Sequence, residues 1–167
     1  LACLYCHNPD TWKMRDGTRV LAGDLVAEAA KYQAFIRAAG GGATLSGGEP
    51  LLQPVFAGEL LHRFKHELGL HTALDTSGYL GARATDALLR DTDLVLLDIK
   101  AWDPALYKRL TGRHLRPTLD FARRLARLDK EVWRRDIRRR ERVEDLGLRM
   151  VRVTADDLRS PATLVSR

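Results

Sequence analysis

The sequence predicts an α/β fold built around a parallel β-sheet. Short runs that are nearly continuous in apolar residues alternate with amphipathic stretches at helical spacing, which is typical of parallel strands joined by helical crossovers. Glycine or polar clusters separate these segments. The length of 167 residues, with 45% hydrophobic and 30% charged residues, fits one globular domain with a substantial core.

The predicted elements follow one another in a regular order. Residues 23–42 predict an amphipathic helix, because apolar residues recur at helical spacing up to a glycine stop. Residues 43–50 predict a short strand that runs into a Gly-Gly turn. The remaining predicted segments are a helix at 54–69, a strand at 70–78, a helix at 82–92, a strand at 93–100 and helices at 104–112 and 116–129.

Polar residues and glycines collect where each predicted strand ends. They are Gly47, Gly48 and Glu49 after the first strand, Asp75 and Thr76 at the end of the second, and Asp98 and Lys100 at the end of the third. Because the carboxyl ends of parallel strands meet at one edge of a sheet, the loops at that edge form the ligand site of such folds. The sequence therefore predicts one site to which three separate units contribute.

The cysteine content and the charge of the chain exclude some classes of function. No apolar run approaches the roughly 18 residues of a membrane-spanning helix, and the only two cysteines cannot form a wider disulfide framework. We therefore expect a cytoplasmic protein with reactive or metal-bound thiols and no membrane partner. The net charge is +6, and residues 134–167 contain ten arginines but no lysine. The composition thus changes near residue 133.

The opening stretch LACLYCHNPDTW contains Cys3 and Cys6. With His7 they spell C-x-x-C-H, which is the attachment signature of a c-type haem. A redox pair, a zinc site and an iron–sulfur cluster also use this spacing, although zinc and a cluster need more than two ligands. His62 and His66 lie four residues apart on one predicted helix, where solvent exposure on an amphipathic face explains them. The residues by themselves leave these alternatives open.

The stretches CLYCHNPDTW, LSGGEP, LDTSG and LLDIK, in this order, closely resemble the radical S-adenosylmethionine (radical SAM) family. The nearest group within it is the activating enzymes of glycyl radical enzymes such as pyruvate formate-lyase. The resemblance covers residues 1–133. It implies an incomplete form of the family's parallel (β/α)6 partial barrel.

The resemblance implies a [4Fe-4S] cluster. The family's cluster motif is C-x3-C-x2-C, and Cys3 and Cys6 match its second and third cysteines. The first cysteine is then expected two positions before Leu1. Three thiolates leave one iron open, and in the family S-adenosylmethionine chelates that iron. Tyr5 and His7 are expected to shape the cofactor pocket.

The resemblance also implies roles at the end of the first strand. Gly47 and Gly48 resemble a turn that lets the backbone approach the methionyl part of S-adenosylmethionine, since no Cβ intervenes. The stretch through Glu49 resembles the family's site for the ammonium group of that cofactor. The alternative is a simple strand-to-helix turn in which Pro50 opens the next helix.

At the ends of the other strands, Asp75, Thr76 and Asp98 resemble the family's site for a monovalent cation beside the cofactor carboxylate. Oxygen ligands suit such an ion. Lys100 is similar to the lysine that neutralises that carboxylate. An ordinary ion pair between Asp98 and Lys100 is the alternative.

The implied activity is reductive cleavage of S-adenosylmethionine to a 5′-deoxyadenosyl radical, which abstracts hydrogen from a glycine of a partner enzyme. The implied partners are a glycyl radical enzyme as protein substrate and an electron donor such as flavodoxin. No catalytic residue beyond the cofactor site is predicted, and nucleic acid is not an expected partner.

The arginine-rich segment 134–167 predicts a different origin from residues 1–133. Its stretch ERVEDLGLRMVRVTADDL resembles the closing helix–strand–helix of very-short-patch-repair-like endonucleases. Two alternatives to a radical SAM activase follow from the residues. One is an inactive fragment or chimera whose basic tail binds nucleic acid, and the other is a c-type haem protein.

Overall fold

The fold is that of a parallel α/β protein. In a computed structural model of the chain, residues 3–4, 6, 9–12 and 17–128 are described. They contain a three-stranded parallel sheet in the order β1-β2-β3. The strands are β1 (Gly42–Leu45), β2 (His71–Thr76) and β3 (Leu94–Leu97). The predicted fold class is confirmed, and the sheet with its helices is consistent with a partial β/α barrel.

Helices precede, connect and follow the strands. They are α1 (Ala22–Ala30), α2 (Gln33–Ala38), α3 (Pro54–His66), α4 (Asp86–Arg90), α5 (Pro104–Thr111) and a further helix over residues 116–128. Short 3-10 helices cover Pro9–Trp12, Pro50–Leu52 and Gly81–Arg83. The crossovers between consecutive strands are α3 and α4, and parallel pairing requires such connections.

The single helix predicted over residues 23–42 is instead two helices. The hydrogen-bond pattern changes at Lys31 and Tyr32, whose N–H groups donate to the carbonyls three residues earlier instead of four. The Gln33 side chain then donates to the Leu68 carbonyl at 2.6 Å, which fixes the start of α2 next to the end of α3. Of the predicted apolar positions, Tyr32 at the break is 55% exposed, whereas Ile36 of α2 packs against the same core as Leu25 and Ala29 of α1.

The main hydrophobic core lies between the sheet and its first two long helices. Its buried members come from α1, from α3 and from the turn into β2. They are Ala22, Val26, Leu60, Phe64, Leu68 and Leu70. Partly buried residues of β1, including Leu45, pack against this cluster. The core therefore holds α1 and α3 against β1 and β2, and it sets where the carboxyl ends of these strands lie.

Local signals in the sequence explain where several helices begin and end. Thr85 accepts a hydrogen bond from the Leu88 N–H and caps α4, and Asp103 does the same for α5 through Leu106. Gly112 has a φ of 70° and ends α5. These caps lie on both sides of β3 and limit the length of the loops around it.

Two compact units divide the chain, one up to Thr118 and one from Leu119 onward. Of the second unit, only residues 119–128 are described. The predicted boundary near residue 133 and the whole segment 134–167 lie outside the described residues. Within the described part of the chain, no helix combines the length and apolar character needed to cross a membrane.

Candidate cofactor-binding site

The polar residues at the ends of the three strands lie together at one edge of the sheet. The Ser46 hydroxyl, directly after β1, donates to the Asp75 Oδ2 at 2.7 Å. The Asp98 N–H, directly after β3, donates to the Thr76 carbonyl at 3.0 Å. We call this edge the carboxyl rim, and define it by residues 46–49, 75–78 and 98–100. The structure thus brings together the predicted residues from all three units.

Glu49 joins the loop after β1 to the end of β2. Its Oε1 accepts hydrogen bonds from the Thr76 hydroxyl at 2.6 Å and the Leu51 N–H at 3.1 Å. Its Oε2 accepts from the Ser77 hydroxyl at 2.6 Å and the Ser77 N–H at 3.1 Å. A carboxylate has about four lone-pair sites, so these four bonds use the side chain's capacity. Glu49 therefore orients the rim through its side chain.

Two glycines shape the turn of the rim. Gly47 has a φ of 118°, which favours glycine, and a Cβ built there would meet no atom within 4 Å. Gly48 is closely covered, because a Cβ there would lie 3.2 Å from the Thr11 carbonyl oxygen. Pro50 opens a 3-10 helix directly after this turn. The turn therefore leaves space beside the Gly47 backbone while Gly48 lets the segment Pro9–Trp12 pack against it.

The cysteine segment is attached to α5. The Leu4 N–H donates to the Leu110 carbonyl at 2.9 Å, and the Cys6 N–H donates to the Cys3 carbonyl at 3.1 Å. Cys3 is buried and Cys6 is partly buried, and both thiols are free. The two thiols therefore belong to one tight turn. Tyr5 and His7 lie outside the described residues.

Charged groups of the rim act on the buried thiol. Burial raises the pKa of the Cys3 thiol, and the Lys100 ammonium opposes this rise. Lys100 Nζ also pairs with Asp98 Oδ2, and Asp98 acts on Cys3 in the opposite sense. Because a thiolate is the form that binds metal, Lys100 favours the state of Cys3 that a cluster requires.

Tyr107 is a buried neighbour of this group. Burial raises its pKa, and the hydrogen bond with the Thr118 hydroxyl at 2.9 Å opposes the rise. The Thr118 hydroxyl in turn donates to the Ser77 carbonyl at 3.0 Å. Tyr107 is therefore neutral at neutral pH, and it links α5 to the end of β2.

Sequence analysis assigned no role to three hydroxyl residues that organise the rim. Ser46 and Ser77 each stand inside a quoted motif, next to residues that were singled out. Thr118 lies in the helix over residues 116–128 and carries no motif. The signal for the two serines was their position at a strand end, but their hydrogen-bond partners are distant in sequence and become visible only in the folded chain.

A parallel sheet whose carboxyl edge carries a glycine turn, acidic side chains and a lysine is the arrangement of a β/α protein whose ligand site lies at its strand ends. Comparison with known proteins gives the family. The Radical SAM superfamily is matched over residues 1–136, and the chain belongs to this superfamily. Most of the arginine-rich segment lies beyond the matched residues.

The chain is also similar to individual activating enzymes. It is 44% identical over 137 residues to the pyruvate formate-lyase-activating enzyme of Clostridium pasteurianum, covering 82% of this chain and 57% of the relative. It is 44% identical over 144 residues to the enzyme of the same name from Staphylococcus aureus strain USA300, with the same two coverages. The chain thus spans about 57% of the length of these curated relatives. Among the alternatives for the cysteine motif, membership of this superfamily favours the iron–sulfur cluster.

Proposed function

We propose that the carboxyl rim is the cofactor site of a radical SAM activating enzyme. Such an enzyme cleaves S-adenosylmethionine reductively and generates a glycyl radical on a partner such as pyruvate formate-lyase, with an electron donor such as flavodoxin. The observation that supports this best is the meeting of the three strand ends at one edge, where Ser46 bonds to Asp75 and the Asp98 N–H donates to the Thr76 carbonyl. Relatives with the matching name support the choice of partner.

The donor set of the cysteine segment fits a cluster. Two free thiols on one turn supply two of the three thiolates that the family's cluster uses, and the buried position of Cys3 limits the access of water. When bound, the [4Fe-4S] cluster supplies the electron for cleavage of the sulfonium. Lys100 favours the thiolate form of Cys3, and the bond from Leu4 to Leu110 keeps the turn in place.

Different residues of the carboxyl rim would bind different groups of S-adenosylmethionine. The open space beside Gly47 is where the methionyl backbone would lie close to the chain. Lys100 would neutralise its carboxylate, and the loop that Glu49 holds in place would receive the ammonium group. Since the Glu49 carboxylate is engaged by the chain, backbone carbonyls of this loop are the acceptors that we propose.

A monovalent cation would sit beside the same carboxylate. Asp75 and Asp98 would supply the negative charge that balances the cation, and carboxylate oxygens are suitable ligands for it. Thr76 pairs in register with Leu97, and its hydroxyl already donates to Glu49 and accepts from the Gly78 N–H at 3.0 Å. We therefore assign Thr76 mainly to fixing the position of the two carboxylates.

The test is formation of 5′-deoxyadenosine from S-adenosylmethionine. The full chain, with a cysteine added two positions before Leu1, is reconstituted with iron and sulfide without oxygen and reduced with dithionite. We expect 5′-deoxyadenosine to form, and Cys6→Ser to abolish it, because a cluster needs each thiolate. The matched control His114→Ala, which changes an exposed side chain, should keep the yield. A fully loaded four-iron cluster that gives no 5′-deoxyadenosine would contradict the proposal.

A further inference from the structure

A second group of potential metal ligands lies away from the carboxyl rim. His62 Nδ1 is 2.9 Å from Asp91 Oδ2, and His66 Nε2 is 2.8 Å from Asp91 Oδ1. One ligand atom from each of the three residues lies within 4.8 Å of the others. Among the described residues, His62, His66 and Asp91 are the group of three potential metal ligands whose ligand atoms lie this close together.

The position of these ligands follows from the secondary structure. His62 and His66 are four residues apart on α3, so both project from the same face of the helix. Their ring centroids are 4.5 Å apart. This spacing on a helix is one that zinc proteins use for two histidine ligands. The helix therefore presents two imidazoles to one point.

Asp91 is held independently of the histidines. Its N–H donates to the Ala87 carbonyl at 3.1 Å at the end of α4. Its own carbonyl accepts from the Thr72 hydroxyl at 2.6 Å. The side chain of Asp91 is 17% exposed, whereas those of His62 and His66 are 60% and 53% exposed. The backbone that carries the carboxylate is thus fixed by α4 and β2, and the imidazoles remain open to an incoming ion.

The group lies at the opposite edge of the sheet from the carboxyl rim. Asp91 precedes β3, and Thr72 is near the start of β2, so both belong to the amino ends of the strands. A cavity of about 360 Å³ lies beside it, lined by Gly58, Leu88 and Thr85 together with His62 and Asp91. A ligand at this edge would not compete with cofactors at the rim.

We propose that His62, His66 and Asp91 bind a divalent zinc ion. Two imidazoles and one carboxylate are donors that zinc accepts, at bond lengths of about 2.0–2.2 Å. Tetrahedral geometry at these lengths separates the ligand atoms by about 3.3 Å. The two contacts of the histidines with Asp91 would therefore widen by a few tenths of an ångström. Because the three ligand atoms already lie within 4.8 Å of one another, no pair would have to close by more than about 1.5 Å. The fourth position is left for water or for a donor on a molecule in the cavity. The ion would join α3 to the segment between α4 and β3.

Zinc titration of the full chain tests this proposal. The two cluster thiols are first replaced, as Cys3→Ser and Cys6→Ser, because free thiolates would also bind zinc. Calorimetry with zinc chloride, at a pH where histidine is neutral, should give one ion per chain. Loss of a ligand in His66→Ala or Asp91→Asn should weaken binding by more than about tenfold, since even second-layer changes at metal sites cost that much. The control His114→Ala should bind as the parent does.

A second readout is the zinc-dependent shift of the melting temperature. An ion that binds only the folded chain raises this temperature, so the shift should appear in the parent and in His114→Ala and vanish in the two ligand variants. Circular dichroism without zinc establishes that the variants fold. The proposal is overturned if the parent shows no saturable binding, or if folded His66→Ala and His114→Ala bind equally well. Neither outcome bears on the proposed radical chemistry, because these chains cannot hold the cluster.

Discussion

The two edges of the sheet are organised in different ways. At the carboxyl rim, polar side chains come from the loops that follow the strands, and they bond to one another across neighbouring loops, as Ser46 does to Asp75 and Glu49 to Thr76. At the amino edge, polar side chains come mainly from helix ends, and they bond helices to strands. The difference supports our proposal that the rim positions a ligand, while the amino edge fixes the crossover helices.

The amino edge is illustrated by Asp93. Its Oδ2 accepts from the Thr72 N–H at 2.9 Å and from the Thr72 hydroxyl at 3.1 Å, while Lys65 of α3 donates to its Oδ1 at 2.9 Å. One carboxylate therefore joins α3, β2 and the segment that enters β3. Five substitutions separate the roles of these regions, in order of decreasing expected effect.

Glu49→Ala should have the largest effect. It leaves the Thr76 and Ser77 donors without their acceptor, and unpaired buried donors cost about 1–3 kcal/mol each, so the free energy of unfolding should fall by about 3 kcal/mol. Binding of S-adenosylmethionine should be lost as well. Chemical denaturation measures the first effect and calorimetry the second. Glu59→Ala, which removes an exposed carboxylate with a distant arginine partner, is the control, and an equal loss in both variants would refute the role of Glu49.

Asp93→Asn should lower stability without affecting the rim. Burial raises the pKa of Asp93, but hydrogen bonds from Thr72 and Lys65 outweigh it, so the pKa lies below its ordinary value. The ionised group therefore stabilises the fold above its unfolded pKa of about 4, and this contribution disappears as pH falls through the lower folded pKa. We expect a loss of about 2 kcal/mol at neutral pH. Denaturation curves of parent and variant should converge in acid, and a difference that grows in acid would contradict this assignment.

The glycines at the two ends of β1 should respond differently to alanine. A Cβ at Gly42 would lie 2.2 Å from the His71 carbonyl oxygen, so Gly42→Ala must push β1 away from β2, at a cost of about 2 kcal/mol. Gly47→Ala meets no atom and suffers only backbone strain, of about 1 kcal/mol, but it should weaken binding of S-adenosylmethionine. Melting temperatures and cofactor titrations of both variants measure the contrast. Equal effects on stability would show that the space at Gly47 is not open.

Tyr107→Phe should have the smallest effect. The substitution removes one hydrogen bond to Thr118, which keeps its bond to the Ser77 carbonyl, so the loss should be about 1 kcal/mol. Thermal unfolding measures it. A loss several times larger would mean that Tyr107 supports the cysteine segment as well as α5.

The strands were predictable because their apolar runs are short and end in polar residues. The third predicted strand, 93–100, contains the observed Leu94–Leu97. The first was predicted as a short strand that runs into a Gly-Gly turn, and β1 ends at Leu45 before Gly47 turns the chain with its positive φ. The prediction of one continuous helix over 23–42 was wrong. The break between α1 and α2 depends on the contact of Gln33 with Leu68, and the local periodicity of the sequence does not show a contact between such distant residues.

The rim was predictable because its residues follow strands directly. What the sequence could not show is which atoms are already engaged. Glu49 looked like a residue that faces a ligand, whereas its carboxylate is used by Thr76 and Ser77. Similarly, the spacing of His62 and His66 was visible, but Asp91 joins them only through the packing of α4 against α3. In both examples, the partners are brought together by contacts between segments that are distant in sequence, and the sequence alone does not show these contacts.

The most direct test of the central assignment is a titration of S-adenosylmethionine into the cluster-loaded chain, with the third cysteine supplied. Lys100→Met removes a charge at the carboxyl rim, and His66→Ala changes only the amino edge. Since a hydrogen bond to a charged group contributes about 1.5–3 kcal/mol, Lys100→Met should weaken binding at least about tenfold, and His66→Ala should leave it unchanged. If both variants bind as the parent does, or if the loaded parent does not bind, the carboxyl rim is not the cofactor site.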